Sequence, residues 1–304
     1  MPWSVPRNVF VFTGEAPALL DTGYQETGEN LVAALDALGL DPWDIQRVAL
    51  TSYQADACGA VSLFSQASVW SAAEAENALT HDRARHEAVL DALLQHPDRP
   101  QTWTRERADA FLALRFGHTL PAVQRVEDGQ PLMLGGTILD ALKTEGVGTP
   151  SCAYYAADRG WLFGGPTVSH TPRPIQDDPG ALIDSMTALG SMSVKRVLPV
   201  QGMVEEHPQI FFRSLSLYTT NLRTNMQYIF SAGPQSSIDL AFSDFGYLPE
   251  DMLRFSALVL EYDSVFREFA QAGVIRKVGE GLSDAFPRYQ MGTPPMSRGP
   301  SQPR

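Results

Sequence analysis

The sequence lacks the residues that would mark a disulfide-stapled, cysteine-zinc or membrane-spanning protein. Its 304 residues include two cysteines, Cys58 and Cys152, which are too few for a disulfide framework or a cysteine zinc site. No apolar run approaches the roughly 18 residues needed to span a bilayer. The first residues also lack the charged and apolar regions of a secretory signal. We therefore expect a cytoplasmic protein without a membrane partner.

Positive charge is scarce as well. The sequence has 23 Lys and Arg against 35 Asp and Glu, a formal net charge of -12. An acidic chain repels the phosphate backbone of nucleic acids, and acidic residues lie beside Arg83, Arg85, Arg105 and Arg107. The composition therefore predicts no nucleic-acid partner. Hydrophobic residues at 44% and charged residues at 19% are typical of a globular protein with one large or two modest domains.

The pattern of apolar residues changes once along the chain. Short apolar strands alternate with amphipathic helices over residues 1–210, which predicts a mixed α/β domain. Three helices and a terminal hairpin over residues 211–284 predict a small helical module similar to a winged helix. Proline, serine and glycine dominate residues 285–304, where we expect a disordered tail.

Two histidines of a charged segment, His81 and His86, lie five positions apart. On a helix this spacing does not place them on one face, as the i, i+4 spacing of a metal-binding pair would. We therefore expect both to be solvated residues of a helix over 71–95.

One segment organises the sequence, the loop from Thr51 to Gly59. It follows the apolar residues 48–50 and precedes a second apolar run at 61–64, a pattern typical of a buried strand that ends in a polar loop opening a helix. Loops at strand ends often carry chemistry. This loop contains a single carboxylate, Asp56.

The order of these pieces resembles the metallo-β-lactamase fold superfamily, over residues from about 8 to 205. The C-terminal module resembles the winged-helix extension of the lactamase-like protein 2 branch, whose relatives include thioesterases and other acyl hydrolases. The resemblance implies an αββα sandwich with a small C-terminal helical module. It rests on the strand at 8–12, the run ALLDTG at 18–23, ENL at 29–31, DPWDI at 41–45 and the loop at 51–59.

The metal-binding loop of that family can be placed on this sequence residue by residue. Its motif T-H-x-H-x-D-H-x-G falls on residues 51–59. The first and second histidines fall on Ser52 and Gln54, the aspartate on Asp56 and the third histidine on Ala57. In this loop, only the position of Asp56 still has a side chain that binds metal in the family.

The more distant ligands of the family are missing too. The histidine of P-G-H-T-P-G falls on Val147, the bridging aspartate of F-T-G-D on Pro166, and the histidine of P-G-H-G on Gln201. Zinc in such sites needs imidazole nitrogens and carboxylates, usually three or more per ion, and neutral amides or hydroxyls bind it weakly. The resemblance therefore implies a fold without its usual metal, so we expect no cofactor and no hydrolysis by a metal-bound hydroxide.

Metal-free chemistry in this pocket would fall to the polar residues that remain. Asp56 is the main candidate for a general acid or base, and the catalytic candidates together are Asp56, Tyr53, Gln54 and His170. The candidates for substrate binding are Ser52, Gln201 and His118, with Phe211 and Phe212 at the entry to the C-terminal module.

Each candidate also has a structural explanation. Asp56 would cap the helix after the loop, Gln54 and Gln201 would pair with each other, and Tyr53 would line the pocket wall. The histidines would be solvated or structural, and the phenylalanines would pack in a core. Cys58 is a further candidate nucleophile at a helix N-terminus, but the resemblance places no histidine beside it.

Three functions remain open from the sequence. The first is an atypical, metal-independent enzyme that uses the vacated pocket for acid–base chemistry or cyclisation on a small organic or acyl substrate, for which natural-product biosynthesis is one setting. The others are a non-catalytic pseudoenzyme that binds a ligand and a structural or partner-binding remnant. The sequence also leaves a homodimer open. Fold alone does not choose among them.

Overall fold

A computed structural model describes residues 7–72, 76–119, 122–147, 151–169, 178–230, 232–245, 251–279 and 286–292. Contacts along the chain divide it into a first unit, Met1–Glu87 with Thr104–Thr219, and a second unit, Ala88–Trp103 with Thr220–Arg304. A helix at Pro208–Phe230 runs unbroken through the boundary expected at 210, because no proline or glycine interrupts it.

The first unit contains a five-stranded sheet with the order β1-β2-β3-β4-β5. Strand β1 is antiparallel to β2, and β2 to β5 run parallel to one another. Because parallel strands end at the same edge, the residues that follow β2 and β3 lie next to each other there. The strands are β1 (Phe10–Phe12), β2 (Ala18–Leu20), β3 (Arg47–Leu50), β4 (Ser68–Ser71) and β5 (Val123–Arg125).

A second five-stranded sheet has the order β10-β9-β8-β7-β6. Strands β9 and β10 are parallel, and the remaining neighbours are antiparallel. The strands are β6 (Pro131–Leu134), β7 (Thr137–Thr144), β8 (Ser151–Ala156), β9 (Trp161–Gly164) and β10 (Arg196–Pro199).

Helices complete the described secondary structure. None of those within the described ranges combines the length and apolarity of a membrane-crossing segment. They are α1 (Gly28–Ala37), α2 (Ala55–Cys58), α3 (Glu76–Leu94), α4 (Arg105–Phe116), α5 (Pro179–Gly190), α6 (Pro208–Phe230), α7 (Ser237–Phe245) and α8 (Met252–Gln271), with 3-10 turns at Gln25–Thr27, Pro42–Asp44 and Val61–Phe64.

Alternating side chains along the strands build the layers of the first unit. Strand β8 turns Cys152 and Tyr154 toward the facing sheet, where they pack with residues such as Leu20 of β2. The residues between them face outward, and Tyr155 packs against α5. On the other sheet, Leu19 points outward into the cluster that includes Leu35 of α1. A strand buried on both faces shows this period of two, and the αββα prediction is confirmed.

The second unit is built on an aromatic core around α8. Trp103 packs on Phe255 with ring centroids 5.7 Å apart, and Phe230 packs on Phe266 at 4.6 Å. Strand β11 (Ile275–Gly279) pairs antiparallel with β12 (Arg288–Met291), and Tyr289 of β12 lies edge-on to Phe266. The resemblance of this module to a winged helix stays a prediction.

Strand β12 corrects the expected tail. The sequence predicted disorder from 285, but residues 288–291 form a strand. The reason is local, since these four residues contain no proline or glycine, and their tyrosine joins the aromatic core. The rest of the expected tail, from 293 to 304, lies outside the described residues.

The expected exposure of His86 is wrong. Its side chain is 2% exposed, and its ring partners are Phe111 and Phe116 at 5.9 and 5.4 Å. Its Nδ1 lies 2.9 Å from the backbone carbonyl of Asp82 and 3.3 Å from the carboxylate of the same residue. Arg115 of α4 lies 3.7 Å from the other carboxylate oxygen. The histidine is therefore part of a buried charged cluster between α3 and α4.

The buried Asp82 carboxylate should contribute measurably to stability. Burial alone would raise its pKa, but His86 and Arg115 lower it from 3.8 to about 2. A folded-state pKa below the unfolded value stabilises the protein above about pH 4, and the contribution is lost as the pH falls toward 2. We expect Asp82→Asn to lower the free energy of unfolding at pH 7 by about 2 kcal/mol, measured by urea denaturation.

The exposed Asp109 provides the control, because it pairs with Arg105 across 3.8 Å at the surface, where such pairs contribute little. Asp109→Asn should leave the stability nearly unchanged. The difference between Asp82→Asn and the wild type should stay constant from pH 5 to 7 and shrink below pH 4. A difference that persists undiminished at pH 3 would show that the lost charge is not its cause.

Candidate active site

The loop at 51–59 is fixed to the neighbouring strand end by Asp21. The backbone N–H of Thr51 donates to Oδ1 of Asp21 at 2.8 Å, and the Thr51 hydroxyl donates to Oδ2 at 2.7 Å. Asp21 has a φ of 60° and is the only non-glycine residue with positive φ in the described part of the chain. A strained backbone of this kind persists only where its surroundings hold it. The two hydrogen bonds from Thr51 therefore hold Asp21 in this conformation and fix the start of the loop beside it.

A buried arginine lies between the two carboxylates of this site. The guanidinium of Arg7 forms an ion pair with Oδ2 of Asp56. Its Nη2 lies 3.6 Å from Oδ2 of Asp21 and 3.5 Å from the hydroxyl of Thr51. The Arg7 side chain is 3% exposed. Burial alone would lower the pKa of Arg7, but Asp56 and Asp21 raise it, so the side chain is a cation at any physiological pH.

The next residue holds Arg7 in place. The backbone N–H of Asn8 donates to the carbonyl of Val200 at 2.7 Å. Its side-chain amide donates to the carbonyls of Pro199 and Gly202 at 2.8 and 2.9 Å. The segment before β1 is thus bound to the loop after β10, which contains Gln201. The oxygen of Gln201 accepts a hydrogen bond from Ser169 at 3.4 Å.

His118 has a defined tautomer. Its Nε2 lies 2.9 Å from the backbone carbonyl of Tyr53. Because a carbonyl only accepts, Nε2 carries the proton, and the lone pair of the neutral ring is on Nδ1. That Nδ1 is buried and has no hydrogen-bond partner within the described ranges, as is also true of Oδ1 of Asp56.

The electrostatics of the site favour the neutral form of His118. Burial lowers its pKa from 6.5, and the Tyr53 carbonyl and the Asp56 charge offset part of this effect. The same carboxylate acts on Tyr24, whose pKa is raised to about 12 by burial and by Asp56. At neutral pH the site therefore offers an unprotonated imidazole nitrogen and a protonated phenol beside a carboxylate.

Several predicted site residues lie in packed surroundings. Ser52 is fully buried and forms a β-bridge with Ser151. Tyr53 is 3% exposed and belongs to the cluster of the first sheet and α1. Phe211 and Phe212 are 2% and 3% exposed in the cluster of the second sheet and α5. Core packing accounts for the positions of these aromatic residues.

The remaining predicted residues are placed as follows. Gln54 is 8% exposed and occupies the N-cap of α2, where its side chain makes no capping bond. Asp56 lies in the first turn of α2 and pairs with Arg7, so it is not the cap of that helix. His170 lies outside the described residues.

Neither cysteine has the environment of a reactive thiol. Cys58 is buried, and its thiol donates to the carbonyls of Tyr53 and Gln54 at 3.4 Å. Burial raises the pKa of Cys58 well above 9.0 and that of Cys152 to about 11. Both are therefore thiols at neutral pH, whereas thiol nucleophiles act as thiolates.

Sequence reasoning missed Arg7 and Tyr24. Neither belongs to a motif, and Arg7 is separated by 49 positions from its partner Asp56. Tyr24 had one weak signal in the sequence, because it directly follows the polar segment 21–23 at the end of a predicted strand.

The donor set of this pocket does not fit a zinc or iron site. Ala57, Val147 and Pro166 supply no donor, and the carboxylate of Asp56 is bonded to a guanidinium. Among the residues that the structure describes, no three His, Cys, Asp or Glu side chains are grouped so as to hold a metal ion. Transition metals in proteins require such groups, so the residues present do not match the metal that is usual in this fold.

The layers and the site define a protein of the αββα class with its candidate site at the ends of β2 and β3. A model of the metallo-beta-lactamase superfamily matches residues 3–201, and the chain belongs to that superfamily. The family resemblance found in the sequence is thereby confirmed. No curated protein sequence matches the chain.

Solved structures of two bacterial proteins are similar along nearly the whole chain. A metallo-beta-lactamase family protein from Thermus thermophilus has a TM-score of 0.74 at 19% identity, over 94% of this chain and 93% of its own. A beta-lactamase domain protein from Burkholderia ambifaria has a TM-score of 0.75 at 16% identity, over 96% of this chain and 89% of its own. At these identities the likeness is one of fold alone.

The donor set predicts the metal content of the purified protein. After expression with added zinc and iron, and purification without chelators, elemental analysis should find far less than one ion per chain. Treatment with EDTA should leave the melting temperature unchanged, because no ion contributes to the fold. A stoichiometric ion whose removal lowers the melting temperature would contradict our assignment of the ligand positions.

Proposed function

We propose that this chain is a metal-independent enzyme of its superfamily that uses acid–base chemistry on a small organic or acyl substrate. The reaction is a hydrolysis or a cyclisation. The observation that supports the proposal most directly is the His118 ring. Its Nε2 is bonded to the Tyr53 carbonyl, and its buried Nδ1 has no partner in the described part of the chain. A neutral imidazole with a fixed tautomer is a general base at neutral pH.

His118 would take the proton in the first step. Its Nδ1 removes a proton from an attacking hydroxyl, which belongs to water in a hydrolysis or to the substrate in a cyclisation. The imidazolium that results is stabilised by the Asp56 carboxylate, whose charge raises the pKa of His118. After the bond to the leaving group breaks, the imidazolium returns the proton to it.

Two further residues, Asp56 and Tyr24, would support this step without transferring the first proton. Asp56 is a positioning residue in this proposal, because its carboxylate is bonded to Arg7 and acts on His118 through its charge. The Tyr24 phenol, with a pKa raised to about 12, stays protonated and donates a hydrogen bond to the oxygen on which negative charge develops.

The proposed substrate class rests on the family resemblance of the sequence and not on contacts within the site. The C-terminal module resembles that of thioesterases and other acyl hydrolases, which favours an acyl group. We also propose a cytoplasmic location, a role in natural-product biosynthesis and a homodimer.

A second function, a non-catalytic protein that binds a ligand or partner, is favoured by a different observation. The side chains of Arg7 and Asp56 are 3% and 10% exposed and bond to each other. The retained carboxylate is therefore neutralised inside the protein. In this case the fold would present a surface or pocket without a reaction.

Removal of the His118 imidazole separates the two functions. On p-nitrophenyl acetate and short acyl thioesters of N-acetylcysteamine, His118→Asn should lose about 10²- to 10⁴-fold in kcat/KM, as expected for a lost general base. The wild-type kcat/KM should be flat from pH 7 to 8 and fall only at a pH below 6.5, because the base must be unprotonated and burial lowers its pKa from 6.5.

The control is His81→Asn, which removes an exposed histidine and should leave kcat/KM unchanged. Equal losses in both variants, or full activity in His118→Asn, would rule out His118 as the base. A wild-type protein that turns over none of these probes would favour the non-catalytic function.

The tautomer of His118 can be tested without a substrate. In the ¹⁵N NMR spectrum of the wild-type protein at pH 7, the His118 ring should show a protonated Nε2 and an unprotonated Nδ1, since the Tyr53 carbonyl accepts only from Nε2. His118→Asn assigns the signals. A ring protonated on both nitrogens at pH 7 would remove the base from the mechanism.

A further inference from the structure

We propose that Asp21, Asp56 and Thr51 form a guanidinium-binding site that this chain fills with its own Arg7, so that an arginine takes the place of the metal cation of the fold. The inference goes beyond the proposed function, because it holds whether the protein is an enzyme or not.

The need for a cation arises from the two acids. Asp21 is fully buried and Asp56 is 7% exposed, and carboxylates out of contact with water are costly unless they are paired and hydrogen-bonded. A bound metal ion would supply that positive charge in the usual members of the fold. Here the ligand positions cannot hold one, so the charge must come from elsewhere.

The geometry shows that Arg7 supplies it. One guanidinium nitrogen, Nη1, donates to Asp56. The other, Nη2, donates to the Thr51 hydroxyl at 3.5 Å and lies 3.6 Å from Asp21. Two acidic groups on different elements are therefore bridged by one planar cation. This bridging needs the fork of a guanidinium, which the point charge of a lysine does not reproduce.

Thr51 connects the two halves of the site. Its hydroxyl donates to Asp21 at 2.7 Å and its oxygen accepts from Arg7. Both hydrogen bonds of this hydroxyl are thus directed at the charged groups. Burial raises the pKa of Asp21, Arg7 lowers it and Asp56 raises it further, and the net result is a pKa raised to about 6. These opposing effects agree with a site in which one cation balances two acids.

An ordinary surface ion pair would look different. The pair Arg83–Glu87 has side chains 49% and 41% exposed, and such pairs contribute little to stability. Arg7 is 3% exposed, and removing one partner of a buried pair leaves the other charge without compensation. Removing Arg7 should therefore lower the stability of the protein strongly, and a free guanidinium compound should restore part of that stability.

The test is chemical rescue of the full-length protein. Arg7→Ala should lower the melting temperature by about 10 °C, the size expected for an uncompensated buried charge in a protein of this length. Millimolar ethylguanidinium chloride should raise the melting temperature of Arg7→Ala by several degrees. It should leave the wild type unchanged, because Arg7 already occupies the site. Ethylammonium chloride at equal concentration should have little effect on Arg7→Ala.

Arg83→Ala is the matched control, since it also removes one arginine of an ion pair, but at the surface. It should melt close to the wild type and show no response to ethylguanidinium. If Arg7→Ala melts within about 2 °C of the wild type, or if ethylguanidinium acts equally on both variants, the proposed site is wrong.

Two further variants keep the proposal testable if Arg7→Ala does not fold. Arg7→Lys should fold and melt between the wild type and the other Arg7 variants, since it keeps the charge without the fork. Arg7→Met with Asp56→Asn should melt above Arg7→Met alone, because the second change removes one of the two uncompensated charges. A double variant less stable than the single one would overturn the proposal. None of these measurements involves turnover, so their outcome is independent of the proposed reaction.

Discussion

Two buried acids without a metal are the constraint on which the site depends. Asp21 holds the loop at 51–59 through Thr51, and it does so in a backbone conformation that costs energy on its own. Asp56 lies in the first turn of the helix that this loop opens. Their charges can stay inside the protein because the Arg7 guanidinium bonds to Asp56 and lies against Asp21. The Asp56 charge that this pairing keeps in the site acts in turn on the pKa of His118 and of Tyr24.

The loss of the metal ligands is consistent across the pocket. Alanine and valine stand at buried positions where a histidine would have no metal to bind. Serine and glutamine stand where neutral hydrogen bonds are available. The oxygen of Gln201 accepts from Ser169. A site that had also kept the bridging aspartate at 166 would hold a third acid and require more positive charge than one arginine provides. The replacements therefore keep the interior close to neutral.

The strands and helices of a mixed α/β domain could be predicted from the sequence because their signals are local, whereas the αββα arrangement was implied by the family resemblance. Strands β6 and β9 end at pairs of glycines, and the loop at 51–59 stands between two apolar runs. In the site, Asp56 was predicted because it coincides with a motif, and His118 was predicted to bind substrate and not to act as the base. Arg7 and Asn8 carry no such signal, since their partners lie 49 and 191 positions away. The burial of His86 was missed for the same reason, because it depends on aromatic residues of another helix.

Arg7 also has an unusual relation to the protein that it stabilises. It is covalently attached to its own binding site through Asn8, which three hydrogen bonds fix to the residues at 199–202. A ligand tethered at this distance has an effective concentration far above that of any free cation. A metal ion can be removed by a chelator and an external ligand by dilution, whereas this cation is lost only by cutting or displacing the first strand. The charge of the pocket is therefore independent of metal supply.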